Sequence, residues 1–231
     1  MSDTGSCIWY LKHLGFFPRL DEKRLQIVAA KSEMQVLKSK SRVDVKDIRE
    51  DDVLLLKSGR LAASREVSDG RAVTLDVLGP GDMIGAVLID TKGEEAESVE
   101  ALEDCLVCKV RASFLKDFIE QNSDVDFNLS ERVGLRRRRI ESRLLDIMFC
   151  TVPVRLARTI ADLADRYGEV GSKGRVIKLA LAHRQFAEMI GANREATTRA
   201  MGQLIDAGAI AIQGKFVCVR DRALLDRIAE R

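Results

Sequence analysis

The stretch LAHRQFAEMIGANREATTRAMGQLIDAGAI, residues 181–210, decides the fold. Phe186, Met189 and Ile190 recur at helical spacing and define the apolar face of a short helix over 183–190. Gly191 stands where a left-handed residue would stop that helix. Asn193 is the type of residue that caps a helix by accepting from a backbone N–H of its first turn. A second helix is therefore expected over 193–206, with Ala196, Ala200, Leu204 and Ile205 facing inward. Ala187, four residues before the turn glycine, is small enough for the close crossing of a helix-turn-helix. The outward face of the second helix then carries Arg194, Glu195, Thr198 and Arg199. Arginine can donate twice to guanine O6 and N7, and glutamate can accept from cytosine N4, so this face suits a DNA major groove. The competing reading is a solvated face in a winged-helix module that binds protein and no DNA.

Downstream, AIAIQGKFVCVR (209–220) reads as a closing hairpin. Its tight turn, Gln213-Gly214-Lys215, would place the Lys215 ammonium within reach of a phosphate. Upstream, Val152-Pro153 ends one helix and pre-sets the next, VRLARTIADLADRYG, with Leu156, Ile160, Leu163 and Ala164 on one face and Gly168 as its stop. GEVGSKGR (168–175) reads as a linker and VIKLAL (176–181) as a strand.

Further upstream, Ser113 is the expected cap of a helix over Phe114–Gln121, and Asn122-Ser123 separates it from a longer one. Along that longer helix Leu129, Val133, Ile140, Leu144 and Ile147 keep close to heptad spacing, flanked by arginines. Such a stripe is what a two-stranded coiled coil needs; the alternative is a helix packed on its own sheet. From about residue 34 to 112 the period is that of strands. VLLL (53–56), AVTLDVL (72–78), ESVEAL (97–102) and CLVCKV (105–110) alternate with turn signals at Ser58-Gly59, Asp69-Gly70, Gly79-Pro80-Gly81-Asp82 and Lys92-Gly93. Short strands at such intervals point to an antiparallel sandwich or barrel, with Asp69-Gly70 as a hairpin turn. Residues 8–31 read helical through Leu11, Leu14, Leu20, Leu25 and Val28, with Pro18 interrupting.

Composition bounds the function. The 231 residues, 46% hydrophobic and 32% charged, fit a soluble globular chain, and no apolar run approaches the roughly 18 residues of a membrane span. No signal peptide or anchor is read at the N-terminus, and a cytoplasmic protein is expected. Net charge is only +2, but Arg132, Arg136, Arg137, Arg138, Arg139 and Arg143 gather in 132–143 while 90–104 is rich in Asp and Glu. Gly79-Pro80-Gly81 lacks the lysine and length of a phosphate loop, and His13 and His183 stand too far apart in sequence to read as a metal pair. No enzyme is expected. Five irregularly spaced cysteines are no disulfide framework.

Two motifs carry a family resemblance. GANREATTRAMGQLIDAGAI (191–210) resembles the G-x-x-R-E-T-V-x-R-x-L-x-x-L-x-x-x-G-L-I signature of the CRP/FNR regulators, and SDGRAVTLDVLGPGDMIG (68–85) resembles their D-G-R-x-x-x-L-x-x-L-x-P-G-D-x-x-G segment. The resemblance implies an α+β chain: an N-terminal antiparallel β-roll (cyclic-nucleotide-binding-like, a double-stranded β-helix) over 1–121, a long dimerisation helix over 122–150, and a winged helix-turn-helix over 151–231. It implies a homodimer on a palindromic promoter site, partnered by RNA polymerase. Arg194, Glu195 and Arg199 fall at the family's base-reading positions, with TGTGA-like half-sites expected from the arginine at 194, and His183 and Arg184 fall where members touch phosphate.

The departures concern the signal. Members that bind cyclic AMP continue from the β-roll glycine with a glutamate and then an Arg-Ser pair that clamps the phosphate. Here Ala86 follows Gly85, and Gly93-Glu94-Glu95-Ala96-Glu97 aligns with the arginine, so carboxylates face a phosphodiester. Ile140-Glu141 replaces the Thr-Ser pair that contacts adenine. Cyclic AMP is not expected. Nor is a four-cysteine iron–sulfur cluster: ALEDCLVCKV puts Cys108 at the position of the oxygen sensor's fourth ligand, but the N-terminus offers only Cys7. Inert cysteines are the first expectation and a Cys7–Cys108 or Cys7–Cys105 disulfide the redox alternative. Control is thus expected to be constitutive or redox-linked, an unidentified small molecule being the third option. Its input would bias the hinge at Cys150-Thr151-Val152-Pro153 and so the spacing of the recognition helices.

Overall fold

The computed structural model describes residues 21–44, 52–66, 72–85 and 97–230, with the backbone alone at 44, 97, 123–130 and 132. Most of the N-terminal helical stretch, Cys7, His13, Ala86 and the turns at Asp69-Gly70 and Lys92-Gly93 lie outside the described residues. The chain divides into two compact units, Met1–Arg138 and Arg139–Arg231.

The first unit opens with α1 (Glu22–Ala30), capped by Asp21, whose carboxylate accepts from the Arg24 N–H at 2.9 Å. Eight strands follow: β1 (Ser32–Leu37), β2 (Arg42–Asp44), β3 (Asp52–Ser58), β4 (Leu61–Glu66), β5 (Ala72–Leu78), β6 (Met83–Gly85), β7 (Glu97–Ala101) and β8 (Cys105–Arg111). They form two four-stranded antiparallel sheets, ordered β1-β8-β3-β6 and β2-β7-β4-β5. Of the four runs expected over 53–110, VLLL, AVTLDVL and CLVCKV lie on strands throughout and ESVEAL does so up to Ala101, and β1, β2, β4 and β6 add to them. At Gly79-Pro80-Gly81-Asp82 the Asp82 N–H reaches back to the Gly79 carbonyl at 3.0 Å, and Gly81 takes φ +95°, a conformation open to glycine after proline in a type II turn.

β3 does not alternate between buried and exposed residues, because both of its faces are covered. Leu54 and Leu56 join Leu61, Leu78 and Val107 in one cluster, while Val53 and Leu55 join Leu25 and Val28 of α1 and Leu115 and Phe118 of α2 (Ala112–Glu120) in another. The α2 start expected at a Ser113 cap is corrected. The helix begins at Ala112, directly after β8, with Arg111 at the cap position and no side-chain cap. Ala112 is buried against the sheet, so the chain enters the helix without a loop.

The long helix α3 (Ser123–Phe149) spans the division between the units. α4 (Val152–Tyr167) starts after Thr151, with proline in its first turn, and buries Leu156, Ile160, Leu163 and Ala164 as its spacing predicts. The linker expected over 168–175 is corrected to a hairpin of β9 (Gly168–Gly171) and β10 (Gly174–Ile177). The strand expected over 176–181 ends at Ile177. Then come α5 (His183–Ile190), α6 (Arg194–Asp206), β11 (Ile210–Gln213), β12 (Phe216–Val219) and an unexpected last helix, α7 (Arg222–Ala229). The second unit's sheet runs β11-β12-β10-β9.

Candidate nucleic-acid interface

The motif is built as its local chemistry dictates. Phe186, Ala187, Met189 and Ile190 of α5 are buried, and the Ala182 N–H ahead of them is satisfied by the Gln185 side chain at 2.9 Å. Gly191 adopts φ 58° and ψ 45°, the left-handed stop. A Cβ on it would lie 3.1 Å from Ile147 Cδ1, so the turn packs tightly on the end of α3. Asn193 caps α6 by accepting from the Ala196 N–H at 2.7 Å.

The inward face of α6 is corrected in two places. Ala200 and Leu204 are buried as expected, but Ile205 is 38% exposed and Ala196 only half-buried; Thr197 and Met201 take the inner positions. A threonine tolerates the core here because its hydroxyl donates to the Asn193 carbonyl at 2.9 Å, leaving no unmet donor.

This arrangement leaves Arg194, Glu195, Thr198 and Arg199 exposed together on the opposite face. Among the described residues the side chains of Arg194, Glu195 and Arg199 have no ion-pair or hydrogen-bond partner. Other arginines of the unit do. Arg158 is bonded to Asp146 and, at 2.7 Å, to the Ala229 carbonyl; Arg166 pairs with Asp162 at 3.3 Å; Arg222 holds Asp165 and Asp226. The Arg222 guanidinium bonded to it holds the Asp165 carboxyl below its usual range. Of the residues at phosphate positions, Arg184 pairs with Glu188 at 2.7 Å and His183 Nδ1 lies 3.0 Å from Thr198 Oγ1. Lys215 sits in the β11–β12 turn with its Nζ 5.5 Å from the Phe216 ring centre. Lys178, which the sequence reading passed over, stands at the same distance from that ring. It follows β10, whose partner strand β12 carries Phe216 some forty residues on, a pairing invisible to local pattern.

On α3, Val133, Leu144 and Ile147 are exposed at 42%, 57% and 40%, and Ile140 is half-buried; the Leu129 side chain lies outside the described residues. Leu145, Met148 and Phe149 are exposed beside them, the last at 76%. Cys105 and Cys108 are free and buried in separate clusters on opposite faces of β8. Burial pushes the Cys105 thiol up to about 11. Among the described residues no group of three or more His, Cys, Asp or Glu is placed to hold a metal ion, and no helix is long and apolar enough to cross a membrane.

Comparison with known proteins matches both units. The family model of the cyclic nucleotide-binding domain matches residues 46–122, and that of the Crp-like helix-turn-helix domain matches 154–228. A CRP-like cAMP-activated global transcriptional regulator of Mycobacterium tuberculosis is 27% identical over 179 residues, 78% of this chain and 80% of that one. The anaerobic regulatory protein of Bacillus subtilis is 26% identical over 170 residues, 72% and 71% of the two chains. In fold, FixK2 from Bradyrhizobium japonicum superposes with a TM-score of 0.72 at 20% identity, over 85% of this chain and 96% of that one. With a cyclic nucleotide-binding β-roll followed by a Crp-like helix-turn-helix that leaves a charged helix face free, the chain belongs to the CRP/FNR family of DNA-binding transcription regulators.

Proposed function

We propose that the protein regulates transcription in the cytoplasm as a homodimer on a palindromic site with TGTGA-like half-sites, without cyclic AMP. The observation that carries this reading is the set of unpartnered charges on α6: Arg194, Glu195 and Arg199 stand exposed on one face while its other face is buried. A major groove would give such groups their partners, base-edge acceptors for the two arginines and a base-edge donor for the glutamate. Asn193, through its cap, and Thr198 belong to the same face, while His183, Arg184 and Lys215 would hold backbone phosphates. Apolar exposure along Val133, Leu144 and Ile147 supports pairing of two long helices, with Leu129 and Ile140 in the same register. A dimer would set its recognition helices about 34 Å apart, and contact with RNA polymerase would convert binding to activation.

Cyclic-AMP independence is supported by chemistry. Residues 86–97 hold Asp90, Glu94, Glu95 and Glu97 against a single Lys92, a poor set for a phosphodiester. The half-exposed Ile140 and exposed Glu141 offer adenine no hydroxyl pair. Constitutive control is favoured over a cysteine switch, because a buried thiol held protonated is a poor nucleophile for disulfide exchange. The test is selection of duplexes from a randomised palindromic library by the full chain, with and without cyclic AMP and reductant. A TGTGA-like dyad enriched without additive is the expected result. A requirement for cyclic AMP, or failure to bind any duplex in a salt-dependent way, would overturn the reading.

A further inference from the structure

A threonine hydroxyl has one hydrogen to donate and two lone pairs to accept with, so it ordinarily suits any base. At Thr198 that freedom is removed. Its Oγ1 lies 2.9 Å from the Arg194 carbonyl, which can only accept, so the single hydroxyl hydrogen is committed there. Such a bond to the carbonyl four residues back is common within helices and says little alone. The second contact comes from a different helix: His183 Nδ1, at the first position of α5, is 3.0 Å from the same oxygen. With the hydroxyl hydrogen already spent, the imidazole must be the donor, and His183 carries its hydrogen on Nδ1. One lone pair and the methyl group remain on Thr198, which is exposed, as are Arg194 and Arg199.

We propose that Thr198 reads DNA as an acceptor only, selecting bases that present an exocyclic amine in the major groove, and that His183 is the positioning residue that enforces this. The proposal rests on the reading of α6 as the recognition helix. Adenine N6 and cytosine N4 meet the remaining lone pair; guanine O6 and N7 and thymine O4 are acceptors and do not. Thr198 then complements its neighbours, since the two arginines favour guanine. His183 Nε2, which has no partner among the described residues, carries a lone pair in this neutral ring and would donate to a backbone phosphate only on taking up a second proton.

Two measurements on the full chain test this. Nitrogen NMR of the His183 imidazole in the DNA-free protein should show the neutral ring protonated at Nδ1, with that preference lost in Thr198→Val; a ring protonated at Nε2 overturns the proposal. On a library randomised at every half-site position, the wild type should prefer adenine or cytosine at one base pair. Thr198→Val should reduce that preference about fivefold per half-site and Thr198→Ser keep it, as expected for one hydrogen bond. His183→Ala should weaken the preference at the same base pair, about threefold by the same measure, with His183→Asn restoring part of it. A preference that survives Thr198→Val, or one that is unchanged when the exocyclic amine of the preferred base pair is removed from the major groove (2-aminopurine for adenine, 2-pyrimidinone for cytosine), overturns the assignment. If the wild type binds no duplex at all, the reading of α6 falls, while the imidazole measurement still decides the hydrogen bond.

Discussion

Among the described residues two helices expose groups of side chains, and they do so in opposite chemical kinds. Toward its C-terminal end α3 exposes Leu144, Leu145, Met148 and Phe149; α6 exposes Arg194, Glu195 and Arg199. Apolar exposure of the first kind is relieved by another apolar surface, and charge exposure of the second kind by a polar, charged one. The proposed partners, a second long helix and a duplex, follow from that difference. The two faces are also joined, since Ile147 of α3 packs at the Gly191 turn that introduces α6.

The comparison can be broken from the apolar side first. Leu144→Glu combined with Met148→Glu should yield a monomer in sedimentation and lower operator affinity by about 10²-fold or more, because the second half-site contact is no longer intramolecular. A dimer that survives this change would show that α3 does not pair through these residues. From the charged side, Arg199→Ala should cost about 1–3 kcal/mol of binding, with base preference relaxed at one position per half-site and the dimer intact. Uniform weakening across all sequences would make it a phosphate contact instead.

Smaller effects sharpen the link between the faces. Gly191→Ala places a methyl group against Ile147 in a left-handed conformation and should destabilise the C-terminal unit by about 1 kcal/mol, read as a shifted unfolding midpoint. Asp165→Asn should have the least effect. The Arg222 guanidinium lowers the Asp165 pKa, so its stabilisation is present above the ordinary carboxylate range and is lost as pH falls through the lowered value. Both partners are about half exposed, which limits the contribution to a few tenths of a kcal/mol. The variant should lose that small contribution at neutral pH and match the wild type at acid pH, so that its stability profile is flatter between the two.

The motif of α5 and α6 was legible because its determinants are local: an apolar stripe, a glycine stop and an asparagine cap within thirty residues. Where reading failed, the missing information was tertiary. Thr197 is interior because its hydroxyl is satisfied by its own helix, and a rule admitting only apolar residues put Ile205 there instead. GEVGSKGR carries three glycines and an almost fully exposed Val170, so nothing local marks it as a hairpin; its strand pairing with β12 does. The unbroken apolar run of β3 lacks alternation because α1 and α2 cover the face that a simple sandwich would leave wet.

The Arg158 guanidinium grips Asp146, four residues before the start of the hinge expected at 150–153, and the carbonyl of Ala229 in the final helix. Any bend at 150–153 that swings α3 away must therefore let go of one of them. Fraying of α7 then becomes a gauge of the hinge: its amides should exchange with deuterium faster whenever the joint is loose and slow down when operator DNA clamps it.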